Sequence, residues 1–226
     1  MKRFYKEVGV QRAGANFAVT LDGRTIKTPS GAVMVLRAPG LADAVAAEWT
    51  RVGTEIDLDA MHLTRLAYAA VDSDRADIAA KLAKFARTDL VFYRAEEPPA
   101  LVERQERAWD IPLAWVRARY EAAFRTGTGV TFIEQPAESL AAIEHALLSL
   151  DMYKLVALNA AAGILGSVVL ALNLADAKLD AKSAFTAAHI DETFQAEKWG
   201  WDAAAQKRLD RLSAELASVE TFLQLS

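Results

Sequence analysis

Twenty consecutive residues, Leu155 to Leu174 (LVALNAAAGILGSVVLALNL), carry no charge, and a folded chain must take them out of water. A run of that length can cross a bilayer as one helix. It can equally form the central buried helix of a helical domain. Asn159, Asn173, Ser167 and the many alanines make it a poor spanning segment, and no basic cluster flanks one end to set an orientation. The expectation is a buried core helix with no membrane insertion, in which Gly163, Gly166 and Ser167 let neighbouring helices approach closely. At 226 residues the chain has surface enough to enclose such a helix, in one large domain or two small ones.

The first forty residues follow a different period. Phe17, Val19 and Leu21 alternate, Asp22-Gly23 is the strongest short-range hairpin signal, and Arg24 to Thr28 returns. Pro29-Ser30-Gly31 turns the chain into Ala32 to Leu36, and Tyr5 to Val10 forms a further strand ahead of them. From Leu41 the pattern becomes helical, with Leu41, Val45, Glu48, Trp49 and Val52 on one side. Trp49 is the one large aromatic there, so its expected role is structural, as the plug between helix and sheet. Asp72-Ser73-Asp74 is the best boundary signal. The expected fold is α+β: an antiparallel β-rich unit with a covering helix over residues 1–75, then an all-α unit over 76–226.

Within the second unit the spacing predicts helices over Ile78–Phe85 and Leu101–Trp109, and another with Pro112 in its first turn, where a missing N–H costs nothing. A loop follows at Thr126–Gly129, with a short extended piece at Phe132-Ile133. Further helices are expected over Ser139–Leu150, the apolar run, and Ala181–Trp199, the last capped by Asp180 and stopped by Gly200. Asp202 opens a final helix with Leu209, Leu212, Leu216, Val219 and Leu223 at three-four spacing. The helix before it reads as two-faced: Phe185, Ala188, Glu192, Ala196 and Trp199 lie on one side, Ile190, Phe194 and Trp201 opposite. Two apolar stripes mean burial on both sides, or one side kept for a partner. Glu192 interrupts one stripe, with Gln195 and His189 beside it, and an unpaired charge there is costly. It is either a structural carboxylate or a charge aimed at a partner's basic residue, and spacing leaves both open.

Chemistry is sparse. The absence of cysteine excludes disulfides, thiolate catalysis and Cys-based zinc sites, and fits a reducing compartment. A net charge of −4 and a pI near 5.5 argue against a nucleic-acid surface. MKRFYKEVGV lacks an apolar secretion core, so a bacterial cytoplasm is the expected address. No dinucleotide or phosphate loop occurs, since Thr126–Gly129 follows a helix rather than a strand. His189 and Glu192 at i, i+3 are half of a metal site without a second ligand pair. No catalytic residue, metal or cofactor is expected. The rival is a small-molecule-binding protein or enzyme, with Trp109, Trp115, Trp199 and Trp201 building a ligand cage near His189.

Seven motifs then occur in order across more than 190 residues: RFYKEV, LDGRTIKTP, AAEW at Trp49, MHLTRL, TDLVFYR, LVERQERAW and DETFQAEKWG. In them the chain resembles the assembly chaperones of the F-type ATP synthase soluble sector that bind its alpha subunit. One departure is Trp109-Asp110-Ile111-Pro112, where the family usually has Trp-Asp-Pro. The resemblance implies a two-domain α+β protein without enzymatic activity, and a monomer without cofactor is expected. Its client would be a free alpha subunit that has not yet met the beta subunit. It also places importance on the positions of Glu192 and Trp49. We read Glu192, with Gln195 and Trp199, as the partner-binding set, and Trp49, Asp22, Gly23 and Gly200 as structural.

Overall fold

Asp22 and Gly23 both adopt positive φ, 49° and 77°, in the computed structural model, which describes residues 1–226. That is the conformation a two-residue hairpin needs, because its twist matches the strands on either side. The turn joins β2 (Asn16–Leu21) to β3 (Arg24–Thr25), with Leu21 opposite Arg24. The Asp22 carboxylate accepts the N–H groups of Glu7 (2.8 Å) and Lys6 (2.9 Å), which hold its pKa below the usual range. A second hairpin turns at Gly14-Ala15, so β1 runs over Val8–Ala13, further than the expected stop at Val10. The returning strands are shorter than expected: β3 has two residues, and β4 (Val35–Leu36) pairs with the same edge of β2.

α1 (Pro39–Arg51) covers this sheet with Leu41, Ala42, Val45 and Trp49. Trp49 is 4% exposed, packs edge-on to Tyr5 with ring centroids 5.7 Å apart, and accepts the Tyr5 hydroxyl on its carbonyl at 2.6 Å. Glu48 beside it leaves the sheet and caps α2 (His62–Asp72). Its carboxylate accepts Leu63 N–H at 2.9 Å and Thr64 N–H at 2.8 Å, filling orphan donors of that helix's first turn. Asp72 accepts the Thr28 hydroxyl at 2.7 Å and the Ser30 hydroxyl at 2.6 Å, and Asp74 caps α3 (Arg75–Phe85). The two aspartates at the expected boundary therefore tie the strand segment to the helices. α2 packs on both α6 (Met152–Leu165) and α10 (Ala203–Leu225), so one apolar cluster runs through both parts of the chain.

Several expectations in the helical part are corrected. Pro112 does not start a helix: α4 is continuous from Pro99 to Tyr120 with Pro112 inside it. An interior proline costs about 3 kcal/mol, but Trp109, Pro112 and Val116 share one buried face, and that burial outweighs the lost bond. The Pro112 carbonyl is itself used, accepting Asn173 Nδ2 at 3.2 Å. Phe132-Ile133 forms no strand; instead β6 (Gly127–Thr128) pairs in parallel with β5 (Tyr93–Arg94). α5 follows at Ala137–Ser149.

The apolar run is two helices rather than one. α6 ends at Gly166, whose φ of 64° glycine adopts without a Cβ penalty. Ser167 then caps α7 (Val168–Ala175) by accepting Leu170 N–H at 3.0 Å. Every residue of Val168–Leu174 is buried in the protein, and no helix is long and apolar enough to cross a membrane.

Candidate functional site

The expected helix over Ala181–Trp199 is also two. Asp180 caps α8 (Ala181–Ala188), accepting Ser183 N–H at 2.7 Å, as the sequence suggested. At His189 the backbone leaves helical geometry (φ −113°, ψ 26°), and α9 (Ile190–Trp199) begins after that break. The His189 ring stacks on Phe185 at 4.1 Å and its Nδ1 lies 2.9 Å from the Phe185 carbonyl, so the imidazole seals the break. The single stripe from Phe185 to Trp199 is therefore interrupted, and Trp201 lies beyond Gly200 rather than on the helix.

What remains on α9 is a division between a held face and an open one. Ile190 is buried, Gln105 Nε2 donates to Asp191 Oδ1 at 2.6 Å, and Arg104 pairs with Glu197 at 2.8 Å while lying over the Phe194 ring. All of these bind α9 to α4, and Trp109 Nε1 donates to the Ala187 carbonyl at 2.8 Å to hold α8 there too. Ile190, Phe194 and Glu197 fall on one side at about 100° per residue; Glu192, Gln195 and Trp199 fall on the other. Trp199 is 73% exposed, and Gly200 (φ 90°) turns the chain so that Trp201 is 46% exposed. A helix so firmly pinned on one face, with a tryptophan left in water on the other, offers rigid apolar area for contact.

Glu192 is neither a bare charge in an apolar stripe nor a buried one. Its Oε1 pairs with Arg208 Nη2 of α10, and both side chains are nearly half exposed. Arg208 is the site residue that spacing missed, since it belongs to the helix after the Gly200 turn and only the fold brings it back. Trp49, Asp22 and Gly23 lie in the strand unit, and Gly200 ends α9. The tryptophan cage does not form: Trp109 is 1% exposed with its N–H spent on Ala187, and Trp115 packs edge-on to Tyr120. No group of three His, Asp or Glu side chains converges on a metal-binding geometry. The arrangement leaves apolar area and an exposed ion pair open to contact with another surface.

The family model for the ATP12 chaperone protein matches residues 2–117. The chain belongs to the ATP12 chaperone family. Over 99% of its length it superposes on the Atp12 structure from Paracoccus denitrificans, covering 97% of that chain with 35% identity and a TM-score of 0.90. The Atu1473 protein of Agrobacterium tumefaciens matches with 33% identity and a TM-score of 0.92, over 99% of this chain and 85% of that one. The mitochondrial protein atp12 of Schizosaccharomyces pombe is 23% identical over 216 residues, 88% of this chain and 74% of that one. The resemblance carried by the seven motifs is borne out, and so is the α+β class. The ATP12 family model stops before α9, so the Glu192 face lies beyond it, while the Paracoccus likeness extends nearly to the ends of the chain.

Proposed function

We propose that this chain binds the free alpha subunit of the F-type ATP synthase and shields its subunit-facing surface until the beta subunit replaces it. The observation that carries the reading is the open face of α9, where Trp199 stands in water beside Glu192 and Gln195 on a helix locked to α4 from behind. An unassembled subunit exposes a large, partly apolar surface that self-associates unless covered. A temporary cover needs apolar anchors for affinity and an exchangeable polar contact for release. The Glu192–Arg208 pair fits the second need: an exposed ion pair is worth about 0–1 kcal/mol, so Glu192 can change partners at little cost.

Three substitutions test this. Trp199→Ala should weaken retention of the alpha subunit roughly thirtyfold, the loss of about 2 kcal/mol typical of an anchoring tryptophan. Glu192→Lys should abolish retention by reversing an attractive contact, whereas Glu192→Gln should lose less. Melting temperatures should match wild type in all three, because the side chains are exposed and strand no buried partner. Variants that fold normally and still hold the alpha subunit would remove α9 from the interface; variants that melt early would make these residues structural.

A further inference from the structure

Between the β2–β3 hairpin, α1 and the segment after it lies a groove of about 740 Å³, on residues that the proposed function does not use. Its apolar lining includes Ile26, Ile56 and Tyr68, and two large side chains stand out at its edges, Phe4 at 65% and Leu58 at 40% exposure. Trp49 also lines it, and the Trp49 indole Nε1–H is buried with no hydrogen-bond partner. A buried donor left unpaired is costly, and among the buried side-chain polar atoms of α1 it is the one without a partner. Burial pushes the Tyr68 phenol up to about 12, so it stays a protonated donor at neutral pH.

The strand-side rim is cationic. Arg24 and Lys27 line the groove, both exposed, and neither takes part in any ion pair of the chain. Asp22, the acidic side chain beside them, is already engaged by the Lys6 and Glu7 N–H groups. The bias extends beyond the groove: the first thirty residues hold six basic and two acidic side chains, in a chain whose net charge is −4. An apolar floor below a cationic rim, with the Tyr68 hydroxyl as a donor, matches a segment whose apolar and acidic side chains alternate. In an extended strand successive side chains point to opposite sides, so such a segment can set its apolar residues down and its carboxylates toward the rim.

We infer that this groove is a second docking site, one that takes an extended segment of the client protein in which acidic side chains alternate with apolar ones. The inference rests on the proposed binding of a protein client, but the groove can be probed without that client. The probe is the blocked peptide acetyl-Leu-Glu-Leu-Glu-Leu-amide, with its Leu-Lys-Leu-Lys-Leu counterpart as control. Binding is read from the indole N–H resonances of the five tryptophans, the Trp49 signal being assigned through Trp49→Phe. The acidic peptide should shift the Trp49 signal to saturation, and the basic peptide should bind about tenfold more weakly or worse. Reversing the rim with Arg24→Glu and Lys27→Glu together, both on exposed side chains, should invert that preference.

No movement of the Trp49 signal, or equal binding of both peptides, would overturn the inference. A pull-down separates it from the proposed function. If wild type retains the alpha subunit and the charge-reversed protein retains it undiminished, the groove is not a client site, while the α9 reading stands. If the peptide binds as described but no alpha subunit is retained by wild type, the groove stands as a peptide site and the proposed client is wrong.

Discussion

Replacing Asp89 with alanine should destabilise the fold by about 3–5 kcal/mol at pH 7, measured by urea denaturation. Asp89 is completely buried where the chain enters the short helical turn over Leu90–Phe92. Its two oxygens accept Val91 N–H at 3.2 Å and, from across the fold, Val169 N–H at 3.0 Å in the first turn of α7. A carboxylate at a helix N-terminus meets orphan donors and the positive end of the helix dipole. Alanine strands those buried N–H groups at the break between α6 and α7, at the centre of the apolar core. The pH dependence carries a second signature. Burial raises the Asp89 pKa to about 6, against the lowering effect of hydrogen bonds from Ser167, Val169, Val91 and Val168. Because the folded value lies above the unfolded one, the protonated group favours the fold. That contribution is fully present below about 3.8 and is lost as pH rises through about 6, an interval worth about 3 kcal/mol. The stability gap between wild type and Asp89→Ala should therefore narrow as pH rises from 4 to 7; a gap that widens would contradict the placement of Asp89.

Trp49→Arg should cost about 3–5 kcal/mol. The substitution removes the largest side chain between α1 and the sheet and puts a charge against Tyr5 and the groove floor. The Tyr5 hydroxyl bond goes to the Trp49 backbone carbonyl, so the loss comes from packing and desolvation rather than from that bond. Trp49→Phe keeps an aromatic ring in the site and should retain most of the stability. Thermal denaturation of both variants checks the order. A Trp49→Arg protein as stable as wild type would show that the indole does not hold the sheet to α1.

What could be read from sequence here was mostly local. Asp22-Gly23, the caps at Asp180 and Asp202, and the stop at Gly200 depend on neighbours within three residues, and each appears where the pattern placed it. At Gly166 and Ser167 the signals for a break are local, whereas other groups that meet α7 and α4 come from far along the chain. Asp89 reaches α7 from some eighty positions away, and Asn173 takes up the Pro112 carbonyl. A window of ten or twenty residues holds no trace of either. The same limit applied at the candidate site. Periodicity placed Glu192, Gln195 and Trp199 together, yet it could not supply Arg208, and it carried the stripe straight through the break at His189.

The most direct measurement is co-purification of the intact chain with the cognate alpha subunit, expressed with and without the beta subunit. Without beta, the chain should elute together with a soluble alpha subunit that aggregates when expressed alone. With beta present, alpha should pass into an alpha–beta assembly, and the chain should elute free. An alpha subunit that never associates with the chain would contradict the proposed function, as would a complex that persists undiminished when beta is supplied.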